Sequence, residues 1–275
     1  MTARGIEYRP LVFTIDDVPY FDDFSDDGAY KNFYDQIRAG KMPTTSQINV
    51  AEHEEYFEGL LSRHDNDIIH VTLSSGLSGT YESACMAAET VNARHDNKIY
   101  VVDSLGATIA VRHVLDAAEK LRDSGMSAKD AVPLLVDVVN HIHTWFMPTD
   151  LMHLKRGGRV SGPSAVIGTA LNIKPILIIN QVGGLSVVQK KIGVSKGIAA
   201  MLEVFDEYVK AEPSKVYIAN ADSDYADGML ERARAIRPAC EYEKGWIGPV
   251  IGAHTGCGAV GISFLSDKLR KEYQG

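Results

Sequence analysis

The stretch from Ile68 to Ala93 constrains this chain more than any other. An apolar run, 68–73, reads as a buried strand. It stops at Ser74-Ser75-Gly76, and helical spacing begins near Gly79 and continues to Ala93. A strand that ends in hydroxyls and glycines just before a helix aims backbone N–H groups, side-chain hydroxyls and the positive end of a helix dipole at one point. Such a point suits an anion.

Strands and helices alternate around this unit. Residues 11–15 read as a strand, 16–27 as an acidic loop, and 30–38 and 51–63 as helices, the second opened by Asn49 with Glu52 three residues on. A strand is expected over 98–102, and helices over 107–122 and 128–140, with Pro133 near the start of the last. From about residue 143 the pattern restarts. It gives a strand at 145–147, a short helix at 150–154, a segment at 165–171 and a buried run at 175–179. Gly183-Gly184 turns that run into 185–191 as a hairpin. A helix over 196–211, a strand over 216–220, a helix over 225–236 and late strands at 250–251 and 260–264 complete the series. The alternation predicts an α/β fold of two α/β domains, residues 1–144 and 145–275, with a mainly parallel sheet in the first and a cleft between them.

At 275 residues, 45% hydrophobic and 23% charged, the chain is long enough for two ordinary globular domains. Its net charge of −8 argues against a nucleic-acid partner, which needs clustered Lys and Arg. Cys85, Cys240 and Cys257 lie far apart with no CxxC, which suits a reducing compartment and offers no zinc pattern. The first residues carry no basic-then-apolar leader. The best apolar stretch, 160–179, is broken by Pro163, Asn172, Lys174 and Pro175. The expected location is therefore the cytoplasm.

Four polar clusters stand out: Pro43-Thr44-Thr45-Ser46-Gln47, Ser74-Ser75-Gly76, Leu154-Lys-Arg-Gly-Gly-Arg-Val160 and Gly252-Ala-His-Thr-Gly-Cys-Gly-Ala-Val-Gly261. Each also has an ordinary structural reading, as a helix cap, a turn or a packed histidine. Gly256-Cys-Gly-Ala-Val-Gly261 matches GxGxxG, but 262–265 reads as a strand and too little chain follows for a dinucleotide fold. Gly76-Leu-Ser-Gly-Thr80 has threonine where a nucleophile elbow needs its second glycine. His141 and His143 have no third ligand at metal spacing, so neither a metal nor a catalytic residue is expected.

Together the clusters resemble the DegV family, bacterial fatty-acid-binding proteins that partner a fatty-acid kinase. The matches follow the family's order. They are Thr45-Ser46-Gln47, Ser74-Ser-Gly-Leu-Ser-Gly-Thr-Tyr81, Val102-Asp103-Ser104, Leu154-Lys-Arg-Gly-Gly-Arg-Val160, Leu171-Asn-Ile-Lys-Pro-Ile176 and Gly248-Pro-Val-Ile-Gly-Ala-His-Thr-Gly256. The resemblance implies two α/β domains with a lipid between them, and a carrier rather than an enzyme. Such a carrier holds a long-chain fatty acid while a separate ATP-dependent kinase phosphorylates its carboxylate to an acyl phosphate. No cofactor is implied besides that ligand. By the same resemblance Thr45 and Ser75 are the leading hydrogen-bond partners of the carboxylate. Ser46, Ser74 and Gly76 come next, and Arg159 and His254 form the second domain's contribution to the head-group end. Two departures carry expectations. The family's opening strand and Asp-Ser turn, expected upstream of the segment resembling 5–11, are not in this sequence: either its start is truncated or this member lacks that strand, which would leave a sheet edge or pocket wall incomplete. Cys257 replaces the proline of the family's Gly-Pro-Gly, which would loosen that loop and make the thiol accessible.

Physical chemistry fits the implied roles. A buried carboxylate is costly unless it is paired and hydrogen-bonded. Each bond to a charged group contributes about 1.5–3 kcal/mol. Burying an acyl chain of roughly 14 methylenes gains on the order of 11 kcal/mol gross. The tail thus supplies most of the affinity and the polar cluster the orientation. Candidate tail contacts are 166–171 and 176–179. Lys155, Arg156, Arg159, Lys190, Lys191 and Lys196 form a candidate docking patch for the kinase or, at most transiently, an anionic membrane surface. Two other functions fit the same clusters. One is an enzyme acting on a phosphorylated small molecule, with 74–80 as phosphate cradle and His254 as acid or base. The other is an interaction protein with an empty cleft.

Overall fold

The computed structural model describes residues 4–23, 26–149, 151–160 and 172–270. The first half holds β1 (Leu11–Ile15), β2 (Val18–Asp22), α1 (Asp27–Arg38), β3 (Thr44–Ser46), α2 (Val50–Leu61), β4 (Ile68–Thr72), α3 (Thr80–Asn92), β5 (Ile99–Asp103), α4 (Ile109–Asp123) and α5 (Ala128–Asn140). The second half holds β6 (Ile142–Met147), α6 (Met152–Arg156), β7 (Ile173–Ile179), β8 (Leu185–Ile192), α7 (Val194–Tyr208), β9 (Lys215–Asn220), α8 (Ala226–Ile236), β10 (Glu241–Trp246), α9 (Pro249–Thr255) and β11 (Val260–Leu265).

Local chemistry sets several of these boundaries. Asn49 and Glu52 form a reciprocal capping box at the start of α2, as their spacing predicts. The Ser127 hydroxyl accepts from the Asp130 N–H at the start of α5. Pro133 sits inside α5, which gives up one helical hydrogen bond there and continues because Ala131, Leu135 and Val139 are buried along one face. Asp16 and Asp17 both adopt positive φ and form the tight turn that folds β2 back on β1. Part of the expected acidic loop is therefore this turn and the strand β2, and its last residue opens α1. β3 and β10 were not expected either, and the expected strand at 250–251 is part of α9, with Pro249 in its first turn. The expected segment at 165–171 and the residue at 150 lie outside the described residues.

β4 and β5 form a parallel pair, Ile68 opposite Ile99. α2 and α3 cover one face through Phe57, Leu60, Ala84 and Val91. α4 and α5 cover the other through Val114, Leu135 and Val139. The result is a three-layer α/β/α unit. The larger sheet has the order β10-β9-β11-β6-β7-β8 and is antiparallel except for β10 with β9. α7 and α8 cover its outer face over Trp145, Met201, Phe205 and Phe264. Its inner face meets a third layer. There β1 and α1 share an apolar cluster with α9 and with Tyr217 and Ala219 of β9. The boundary expected between residues 144 and 145 falls inside β6, and we propose that the second unit begins with that strand. No helix among the described residues is long and apolar enough to cross a membrane.

Asp22, at the end of β2, joins the N-terminal sheet to α9. Its Oδ2 accepts from the Val250 N–H at 3.1 Å, while its buried Oδ1 has no partner among the described residues. Burial pushes this carboxyl up to about 6 from the usual 3.8. Above pH 6 both folded and unfolded states carry the charge and the burial cost is fully present. The cost is relieved as pH falls through 6, because the folded state takes up the proton first. Asp22→Asn should therefore stabilise the protein at pH 8, by about 1–2 kcal/mol, and lose that gain by pH 4. Thermal unfolding at the two pH values checks this; an equal shift at both would refute it.

Candidate functional site

Small residues open a trough on the inner face of the large sheet. Register puts Ala219, Gly261 and Phe146 side by side on β9, β11 and β6. A glycine inside a strand marks a close approach or a gap, and here Gly261 and Ala219 leave room above the sheet. The segment that leads into α4, Ala107 to Ile109, lies over the trough, and Ile179 and Leu185 of the β7–β8 hairpin close one side. The cavity is about 280 Å³, close to the lower end of small-molecule sites at roughly 300 Å³. It lies between elements of the two halves of the chain, as the predicted cleft requires.

The cavity is mostly apolar; Thr45, Ser46 and Gln47 of the β3 region meet Ser78, Arg159 and His254 at its mouth, and Thr108, Thr255 and, on β6, Thr144 add further polar positions. Thr45 Oγ1 and His254 Nε2 are hydrogen-bonded at 2.9 Å. His254 lies in the last turn of α9, and its ring lies against Gly157, where a Cβ would overlap Nδ1. That is why the Gly-Gly-Arg turn begins with glycine. Nδ1 is buried and has no partner among the described residues. Burial, with help from the positive charge of Arg159 and from His153, pulls His254 down to about 4. The ring is neutral at pH 7 and acts as a hydrogen-bonding group rather than a cation. Arg159 supplies the positive charge. Its Nε donates to the Leu77 carbonyl at 3.3 Å and its Nη1 to the Gly157 carbonyl, which ties the guanidinium to both halves of the mouth. Gln47 packs on Gly79, where a Cβ would overlap it, and donates to Ser83 Oγ at 3.2 Å.

Of the residues expected at the head group, Thr45, Ser46, Arg159 and His254 come together on the cavity wall. Ser74, Ser75 and Gly76 lie on the adjoining loop and outside that lining. The fully buried Ser74 hydroxyl donates to the Gly183 carbonyl at 2.8 Å and accepts from the Gly76 N–H at 3.1 Å. Gly76 presses on the backbone of Val182 to Gly184, which a Cβ there would overlap, and a Cβ on Gly183 would overlap Ser74 Oγ. Ser74 and Gly76 thus clasp the β7–β8 turn. The Ser75 N–H donates to the Asp103 carboxylate at 3.2 and 3.3 Å. Of the expected tail run 176–179, Ile179 lines the cavity, while Ile176 and Leu177 are core; the run 166–171 lies outside the described residues.

The family model described as an uncharacterised protein of the DegV family matches residues 1–267. The chain belongs to the DegV family. It is 32% identical over 265 residues to a DegV domain-containing protein of Clostridium perfringens, covering 95% of this chain and 91% of that one. The structure of a DegV family protein from Thermus thermophilus, described by its fatty acid binding, is similar with a TM-score of 0.84 and 25% identity, over 96% of this chain and 93% of that one. DegV of Bacillus subtilis, described as a fatty acid binding protein, gives a TM-score of 0.82 and 29% identity, over 97% and 93% of the two chains.

Within this DegV fold, Cys257 is half-buried rather than open. Its Sγ donates to the Tyr34 carbonyl at 3.3 Å, and burial pushes the thiol up, away from the reactive thiolate. Sequence reasoning missed Phe146, Thr144, Thr108 and the Gly261–Ala219 gap. The one available signal was a glycine in the second position of a mostly apolar strand.

Proposed function

We propose that this chain is a carrier of a long-chain fatty acid, and that it presents the carboxylate to a separate fatty-acid kinase for acyl-phosphate formation. The observation that supports this most is the hydroxyl–imidazole pair of Thr45 and His254 at the polar mouth of an otherwise mostly apolar cavity, with Arg159 beside it. In this reading the neutral His254 donates from Nε2 to Thr45 Oγ1, and the threonine hydroxyl turns its own proton to the carboxylate. Arg159 balances the charge. Ser46 adds a further hydroxyl, while Ser74 and Gly76 hold the hairpin that walls the tail. No residue has to move a proton in a reaction, so phosphoryl transfer belongs to the partner. The carrier would work in the cytoplasm, where the kinase finds its ATP. The proteins of Thermus thermophilus and Bacillus subtilis named above support the ligand class through their own descriptions.

Native mass spectrometry of protein purified from a bacterial host should find a bound mass matching a long-chain acid. Thr45→Ala combined with Ser46→Ala should lose it. Undiminished retention in the double variant, or hydrolysis of phosphate esters by the chain alone, would overturn the reading.

A further inference from the structure

The end of the cavity away from the mouth is also polar. β6 runs out toward Arg159 at its C-terminal end, and β11 arrives from His254 at its N-terminal end. Register sets Phe146 opposite Gly261 and, on the side away from the mouth, Thr144 opposite Ser263. Thr144 lies on the same face as Phe146, about 7 Å further in, and lines the cavity. Its hydroxyl and that of Ser263 are hydrogen-bonded at 2.9 Å, and both residues are buried. Two hydroxyls hold two protons, and the bond between them uses one. On the Ser263 side stands His113 of α4, only 3% exposed, held through the Ser263 backbone, with a buried Nε2 that has no partner among the described residues. Its ring packs at 4.8 Å on Tyr217, which faces Ser263 across the register. A tail ending in a methyl group would leave this hydrogen-bonding capacity unused in a dry place, where it is costly.

We propose that the cavity is built for an acyl chain with a hydroxyl at or next to its distal end, bonded at the Thr144–Ser263 pair. The inference rests on the fatty-acid reading above and adds the chemistry of the far end of the ligand.

Delipidated protein would be offered unsubstituted fatty acids from decanoic to octadecanoic, each in competition with its ω-hydroxy counterpart, with bound masses read by native mass spectrometry. At the best-fitting length the wild type should retain the ω-hydroxy acid about three- to tenfold more strongly, the range one net hydrogen bond gives. Thr144→Val should abolish that preference while still retaining the unsubstituted acid. Ser263→Ala serves as a second variant, with thermal unfolding confirming that each is folded. Equal or stronger retention of the unsubstituted acids by the wild type, or an unchanged preference in both folded variants, would overturn the proposal. If the wild type retained neither series, the carrier reading itself would fall, and this proposal with it.

Discussion

Arg270→Ala should lower the stability of the protein by about 3–5 kcal/mol, because it removes a buried charge from a set of partners that nothing else can satisfy. The guanidinium is 6% exposed. Its Nε donates to the Ile142 carbonyl at 3.0 Å and its Nη2 to Val139 at 2.9 Å. Its Nη1 donates to Leu105 at 2.6 Å and to Asn180 at 3.5 Å. Four carbonyls from four segments thus meet on one fork: the end of α5, the start of β6, the β5–α4 loop and the end of β7. Burial pulls the arginine down to about 10, still charged at neutral pH. Leu105 is held at φ 42°, a strained setting for a non-glycine residue, by this bond and by its own N–H to Asp103. Leu105 and Asn180 flank the roof and hairpin of the cavity, so the residue that stabilises the fold also fixes the cavity walls. Lysine should rescue little, since a point charge cannot span a planar fork of acceptors. Thermal unfolding is the measurement. A fall of roughly 10 °C is expected, and a midpoint within about 2 °C of wild type would refute it.

This arginine also marks where sequence reasoning stops. Its partners lie from 90 to 165 positions away, and no local pattern announces them. Elements that follow from neighbours were legible: the α2 capping box, the strand β4 (though only Thr72 of it is buried), the β7–β8 hairpin at Gly183-Gly184 and the helical α5 despite Pro133. Elements that depend on partners were not. β10, Glu-Tyr-Glu-Lys-Gly-Trp, is half exposed and has no apolar alternation to read, yet it pairs in register with all of β9. β2 was hidden by the aspartates of its turn. α9 was hidden because a seven-residue helix with a glycine and three β-branched residues has little propensity, and it exists through Asp22 at its start and the packing of Val250 and Ala253. The site shows the same division. Thr45, Arg159 and His254 were legible as chemistry, through the family resemblance. The Ser74 hydroxyl looked equally available, but its acceptor is a carbonyl 109 residues later, and a buried hydroxyl goes to the acceptor it touches.

Gly157→Ala should separate ligand binding from stability. Gly157 sits at φ −70° and ψ −10°, ordinary helical backbone where alanine is favoured by up to about 1 kcal/mol. The obstacle to a Cβ there is His254, whose Nδ1 it would overlap and whose CG and Cε1 it would crowd. The ring must shift, and a shift breaks the bond from Nε2 to Thr45. Under the carrier reading the Thr45 hydroxyl then loses the donor that orients it to the carboxylate, so up to one charge-assisted contact is lost, about 1.5–3 kcal/mol, or roughly a ten- to hundredfold loss of fatty-acid affinity. The unfolding free energy should stay within about 1 kcal/mol of wild type. The adjacent Gly158 gives the opposite pattern. It has open space around its Cβ position but a φ of 67°, so Gly158→Ala costs about 1–2 kcal/mol of backbone strain and leaves His254 in place. Fatty-acid titration and thermal unfolding of the two variants form the test. If Gly157→Ala bound the acid as tightly as wild type, His254 would have no part in holding the head group, and the Thr45–His254 pair would be a purely structural contact between the two halves of the chain.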